Sequence, residues 1–114
     1  MPLIAITAII IIIATIIGSS SDQILMYGWF ILLIVIFHNL LGFIFGYYSC
    51  YFLNLDKKTS RTIAIEIAMQ NSGLATALAI KYFGAVSAVP AAFYSVWHNI
   101  SGSLIANFWK KNTK

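Results

Sequence analysis

Arg61-Thr62-Ile63-Ala64-Ile65-Glu66-Ile67-Ala68-Met69-Gln70-Asn71-Ser72-Gly73-Leu74-Ala75 is the stretch that decides how this chain folds. It begins as an apolar span and then departs from that pattern. Glu66 is the only acidic residue inside any apolar span of the chain. An ionised side chain at the centre of a membrane helix costs about 2.5–3.5 kcal/mol on insertion scales, so such a residue pairs, binds an ion or faces a cavity. Thr62, Glu66 and Gln70 recur at every fourth position, which places a hydroxyl, a carboxylate and an amide on one helical face. Those are hard oxygen ligands suited to an alkali cation. Gln70-Asn71-Ser72-Gly73 then interrupts the helix. Glycine lowers helix stability by about 1 kcal/mol relative to alanine, and Asn and Ser side chains compete with the helical ladder. Unwound backbone at membrane depth is tolerated where it lines a cavity or is packed by protein, and broken helices of this kind form the ion and solute sites of secondary transporters.

A structural reading stands beside this one. Glu66 lies about 7–8 Å along the helix from Arg61 at 1.5 Å per residue, so it could pair with a basic group or reach back to the membrane edge. That accounts for Glu66 alone and leaves Gln70, Asn71 and Ser72 lying deeper without a reason.

The rest of the chain agrees with a membrane setting. Of 114 residues, 61% are apolar and 9% are charged, against about 25% charged in ordinary soluble domains. The fold class is all-α, with four apolar spans at about 3–17, 24–55, 60–83 and 86–109, the third broken. All 114 residues form one transmembrane region, with Gly18 to Gln23 read as a polar loop. The span 24–55 is too long for one upright helix and too short for two, which suggests a tilted helix starting in the interfacial layer at Tyr27 and Trp29. The start of the chain lacks a basic n-region, so no cleavable signal peptide is expected. Lys57, Lys58 and Arg61 lie between spans two and three, and Lys110, Lys111 and Lys114 follow span four. The positive-inside rule places both clusters, and with four spans both termini, in the cytoplasm of a multi-pass cell-membrane protein. The same residues form no continuous basic face, so the net charge of +4 does not point to nucleic acid. Cys50 stands alone and reads as a small hydrophobe.

In span four, Ser95, Asn99 and Ser103 share one face, and Tyr94, His98 and Ser101 lie on its neighbour. His98 can relay protons or bond a solute oxygen; a buried histidine is as readily a hydrogen-bonded structural group. Pro90 bends the span or sits in its first turns, and Gly102 with Ala106 suits close helix packing. In span two, Gly42 and Gly46 form a GxxxG packing pair, and His38-Asn39 reads as a bond to a neighbouring helix. The chain carries no phosphate-binding glycine loop, no metal-spaced Cys/His set and no nucleophile with a paired base, so no enzyme is expected.

Glu66 to Ala75 resembles the signature of the bile acid:sodium symporter family. Val89-Pro90-Ala91-Ala92 followed by Ser95-Val96-Trp97-His98-Asn99-Ile100-Ser101-Gly102-Ser103 resembles the last span of its bacterial members, and His38-Asn39-Leu40-Leu41-Gly42 with Gly46-Tyr47 resembles the span before the signature. The resemblance covers residues 24–109. It implies a ten-helix fold of two inverted five-helix repeats with two broken helices crossing in a core domain. Carried onto this chain, it makes Glu66 and Gln70 side-chain sodium ligands and the carbonyls of Ile67 and Met69 further ligands. It places Asn71 at the crossing facing an organic anion, with His98 and Asn99 lining the solute side. Thr62 enters only from spacing. The chain resembles the final four helices alone; the first repeat and the first helix of the second have no counterpart.

The implied function is the C-terminal part of a sodium-coupled symporter of organic anions, bile-acid-like or other carboxylate solutes. Its partners are sodium, a small organic anion, the lipid bilayer and either the missing N-terminal helices or a companion chain. The rival is a non-transporting membrane subunit or a truncated remnant of such a transporter.

Overall fold

The computed structural model describes residues 2–112. The chain runs as α1 (Pro2–Ser19), α2 (Ser21–Phe52), the two halves α3 (Lys57–Ala68) and α4 (Ser72–Phe83), a short 3-10 turn (Ala85–Ala88) and α5 (Val89–Lys111). No β-strand occurs among the described residues. Two stretches are long and apolar enough to cross a bilayer, Ser21–Phe52 and the interrupted Lys57–Phe83; the apolar part of α1, Ile6–Ser19, is shorter. Trp29, Phe37 and Phe45 stand exposed along α2, an arrangement that suits hydrocarbon rather than water.

The stretch from Gly18 to Gln23 is not the loop its composition suggests. Ser20 alone separates α1 from α2. Its N–H donates to Ile16 O and its carbonyl accepts from Ile24 N–H, both at 3.0 Å, so one residue ends one helix and starts the next. Ser19 bonds back to Thr15 O at 2.8 Å, and Asp22 stands in the first turn of α2, where an acid meets the positive end of the helix dipole. The side chains of Ser19 and Asp22 are thus used by helix ends.

The far end of α2 is also built by local rules. Asn54 adopts φ +56°, its N–H donates to Tyr51 O, and Leu55 N–H donates to Cys50 O, each at 3.0 Å. This six-to-one bond closes a Schellman motif, in which Asn is the usual alternative to Gly, and the helix stops at Phe52 rather than at Leu55. Asp56 then caps α3: its carboxylate accepts from Thr59 N–H at 3.0 Å and from Thr59 Oγ1–H at 2.6 Å. Lys57, Lys58 and Arg61 consequently lie on the first turns of a helix. Pro90 sits in the first turn of α5, where a missing N–H costs no helical bond.

The described chain forms two compact units. The first joins the chain up to Leu33 to Asn71–Ser95; the second joins Ile34–Gln70 to the chain from Val96. In the first, Ile16, Ala88, Val89 and Ala92 form a buried cluster, with Ile24 and Ile31, seven residues apart on α2, packed against it. In the second, Phe43, Ala64 and Ala68 are buried, flanked by Tyr47, Ile65, Ile105 and Trp109. Here the GxxxG pair of α2 meets an alanine pair of the same spacing on α3. A Cβ on Gly42 would lie 3.1 Å from Ala68 Cα, and one on Gly46 only 2.8 Å from Ala64 Cα. Lipid is as apolar as the side chains it replaces, so close backbone approach rather than hydrophobic burial holds such helices together. This contact fixes the last two turns of α3 against α2.

Candidate functional site

The helix breaks at Met69, Gln70 and Asn71. Met69 has ψ +69° and Asn71 ψ +74°, both outside the helical range. The sequence explains the restart. Asn71 Oδ1 accepts from Leu74 N–H at 3.1 Å, satisfying one of the donors left open at the start of α4. Ser72 is buried, its carbonyl accepts from Thr76 Oγ1–H at 2.8 Å, and its hydroxyl accepts from Ser95 Oγ–H at 2.7 Å. The cap therefore displaces the break slightly toward the N-terminus of the polar run.

The end of α3 leaves carbonyls to be satisfied. Met69 N–H donates to Ile65 O at 2.8 Å. Ala68 O accepts from the side-chain amide of Asn39 at 2.9 Å. Among the described residues, no backbone N–H reaches the carbonyls of Ile67 or Met69. Glu66 is exposed in the last turn of α3, and Gln70 is exposed within the break, its Nε2 3.1 Å from His38 Nε2. With the His38 proton on Nδ1, the amide donates to the imidazole. Ile67 and Met69 are exposed as residues, although the Met69 sulfur lies 2.9 Å from where a Cβ on Gly102 would stand. Small size at Gly102 thus admits the methionine beside the break.

The second unit therefore gathers Glu66, Gln70 and the carbonyls of Ile67 and Met69 within five residues of chain. These are neutral oxygen donors around one carboxylate. No group of three His, Cys, Asp or Glu that could hold a metal ion occurs among the described residues. Thr62 does not join them: it is exposed and its hydroxyl bonds Lys58 O at 3.0 Å. Gln70 does not extend the helical stripe of Thr62 and Glu66, because α3 has ended two residues earlier.

On α5, His98 is buried and Asn99 exposed. Ser101 Oγ–H lies 2.7 Å from Asn39 Oδ1 and 3.3 Å from His98 O. Asn39, 2% exposed, is the residue that sequence reasoning undervalued. It joins α2, the broken end of α3 and α5. The polar pair His38-Asn39 in an apolar helix was the available signal, and both members turn toward the break.

No family model matches the chain. Over all 114 residues it is 40% identical to an uncharacterized sodium-dependent transporter, YocS, of Bacillus subtilis. It is 41% identical over 113 residues to the probable chloroplastic sodium/metabolite cotransporter BASS1 of Arabidopsis thaliana, and 39% identical over 111 residues to the BASS1 of Oryza sativa. The likeness to the bile acid:sodium symporter family is homology. The matches take in 100%, 98% and 96% of this chain but only 36%, 28% and 27% of those relatives, in their C-terminal part. The chain is thus an all-helical membrane protein corresponding to part of a transporter.

Proposed function

We propose that the chain is the C-terminal part of a sodium-coupled symporter of a small organic anion and is not an enzyme. The supporting observation is the break itself: two carbonyls without a backbone partner lie beside an exposed carboxylate and an amide. Sodium binds Glu66, Gln70 and the carbonyls of Ile67 and Met69. The cation offsets the charge of Glu66, which is otherwise costly within a bilayer, and it satisfies the carbonyls that the broken helix leaves open.

The anionic solute is proposed to contact Asn71, His98 and Asn99. At the start of α4 the positive end of a helix dipole favours negative charge. Asn71 holds the first turn of that half-helix in order through Leu74 N–H. Sodium bound at the end of α3 orders the same stretch of chain, which links cation binding to solute binding. Both termini are cytoplasmic in this reading, as the Lys and Arg positions require, and the chain crosses the membrane four times.

The relatives extend well beyond the matched segment, so the remaining helices are supplied by further chain or by a companion. Uptake of a radiolabelled organic anion into proteoliposomes tests this. With the N-terminal helices of a relative joined or co-reconstituted, uptake is sodium-dependent and is lost in Glu66→Ala. Sodium-driven uptake by the 114-residue chain alone would refute the need for a companion, and sodium dependence that survives Glu66→Ala would refute the site.

A further inference from the structure

We propose that the second unit carries a binding site for the headgroup of an anionic phospholipid, formed where the start of α3 meets the end of α5. A hollow of about 510 Å³ there is lined by Lys57, Lys58, Arg61 and Lys110, with Ile65 and Ala106 on its wall. Four cationic side chains converge on it, and no acidic residue lines it. The nearest carboxylate in sequence, Asp56, is engaged by the N–H and hydroxyl of Thr59. The site is independent of the break and of any transported solute.

The shape of the charge selects the ligand. Arg61 is half-buried. Its guanidinium lies 5.7 Å from the centroid of the Trp109 ring, and its Nη1 makes a long contact of 3.5 Å with Trp109 O. Stacking and hydrogen bonding hold this planar donor in place, whereas the three lysines bring mobile point charges. A phosphodiester supplies one delocalised negative charge on two oxygens, which a fixed guanidinium and flexible ammonium groups accommodate together. The apolar wall has no use for a small aqueous anion. It suits the glycerol and first methylenes of a lipid whose phosphate sits among the cations. Trp109 is the residue type that favours this interfacial layer, and basic pockets at the cytoplasmic edge of helices are suited to anionic headgroups.

The cations also serve as topology signals, and that role alone predicts a diffuse attraction to any anionic surface, spread over all exposed lysines and weakened by salt. A built site predicts a preference confined to the lining residues.

The test places the full chain, carrying Trp29→Phe and Trp97→Phe so that Trp109 is the only tryptophan, in phosphatidylcholine vesicles and excites the indole selectively. Quenching of Trp109 by acyl-brominated phosphatidylglycerol is compared with quenching by acyl-brominated phosphatidylcholine. The expected result is several-fold stronger quenching by the anionic lipid at equal mole fraction, at moderate salt. That preference falls to about parity in Lys57→Ala/Lys58→Ala/Lys110→Ala and persists in Lys81→Ala/Lys111→Ala, which removes cations outside the lining. Equal quenching by the two lipids in the chain with its lysines intact overturns the proposal without reliance on any lysine variant. Loss of the preference in the Lys81/Lys111 control overturns it in favour of diffuse attraction. Loss of the preference on adding excess inorganic phosphate at constant ionic strength overturns the lipid assignment in favour of a free-anion site.

Discussion

The side-chain amide of Asn39 donates to the backbone carbonyl of Ala68 at 2.9 Å, so a residue on an unbroken helix satisfies the last helical carbonyl before the break. Its amide oxygen is in turn within 2.7 Å of Ser101 Oγ. The open end of α3 is thereby partly satisfied, while among the described residues the carbonyls of Ile67 and Met69 on either side of Ala68 accept from no backbone N–H.

Replacing Asn39 should therefore loosen the broken end rather than abolish folding. Interhelical hydrogen bonds in membranes average about 0.6 kcal/mol with a maximum near 1.7, and a buried group left without its partner costs about 1–3 kcal/mol. Asn39→Ala is expected to destabilise the chain by about 1–2 kcal/mol in an SDS titration from mixed micelles. Ser101→Ala, which removes the other end of the chain of bonds, should cost less. A larger effect at Ser101 than at Asn39 would contradict this ordering.

Gly42 and Gly46 of α2 and Gly18 of α1 make a graded series. A Cβ on Gly46 would lie 2.8 Å from the backbone of Ala64, one on Gly42 3.1 Å from that of Ala68, and one on Gly18 meets nothing within 4 Å. Overpacking of this kind typically costs about 1–3 kcal/mol, whereas Gly to Ala in an open helical position gains up to about 1 kcal/mol. The expected order of stability in the same titration is Gly18→Ala at or above the unaltered chain, Gly42→Ala below it and Gly46→Ala lowest. Equal effects at Gly42 and Gly46 would show that α2 and α3 do not meet as closely as described.

The break was legible because it is a local event: Asn71, Ser72 and Gly73 each disfavour a continuous helix, and Asn71 caps the restart. The helix count was legible from apolar length for the same reason. The junction at Ser20 was not. Ser19, Ser20, Ser21 and Asp22 have loop composition, yet the same residue types are preferred at helix ends, and hydropathy does not tell a one-residue junction from a six-residue loop. Nor could periodicity show where α3 stops, so the face drawn through Thr62, Glu66 and Gln70 extended past the end of its helix. The target of Asn39 was out of reach in another way. That it bonds a neighbouring helix follows from a polar residue in an apolar span, but that the acceptor is Ala68 O depends on Gly42 and Gly46 admitting α3 at short range.

Asp56 gives a prediction in pH. Hydrogen bonds from the Thr59 side chain and backbone hold its carboxyl below the usual value of 3.8. A carboxyl that is more acidic in the folded chain contributes stability fully above its unfolded value, and that contribution fades as pH falls through the folded value. The α2–α3 turn should thus hold at neutral pH and weaken only in acid below about 3.8. Asp56→Asn keeps a good N-cap and should flatten this acid limb, while Asp56→Ala should lower stability across the whole range. Amide hydrogen exchange at Thr59 and Ser60 as a function of pH reads both; an acid limb that persists in Asp56→Asn would assign it to another group.

His38 provides the sharpest test of the cation site, because it touches a proposed ligand without being one. Its Nε2 lies 3.1 Å from Gln70 Nε2. If the amide donates to the ring, the Gln70 carbonyl oxygen is turned away from His38 and is free to accept a cation. Loss of one such bond is worth about 1 kcal/mol, and about 1.4 kcal/mol corresponds to a factor of ten. In the transporter completed with its N-terminal helices, His38→Ala should raise the sodium concentration for half-maximal uptake by roughly three- to ten-fold, with a smaller change in the maximal rate at saturating sodium. His38→Asn, which can still accept from the amide, should recover part of the shift. Gln70→Ala should raise the sodium requirement at least as far, and adding His38→Ala to it should change little more, since the imidazole then has no amide to orient. An additive double variant would mean that His38 acts on sodium binding by a route that does not pass through Gln70.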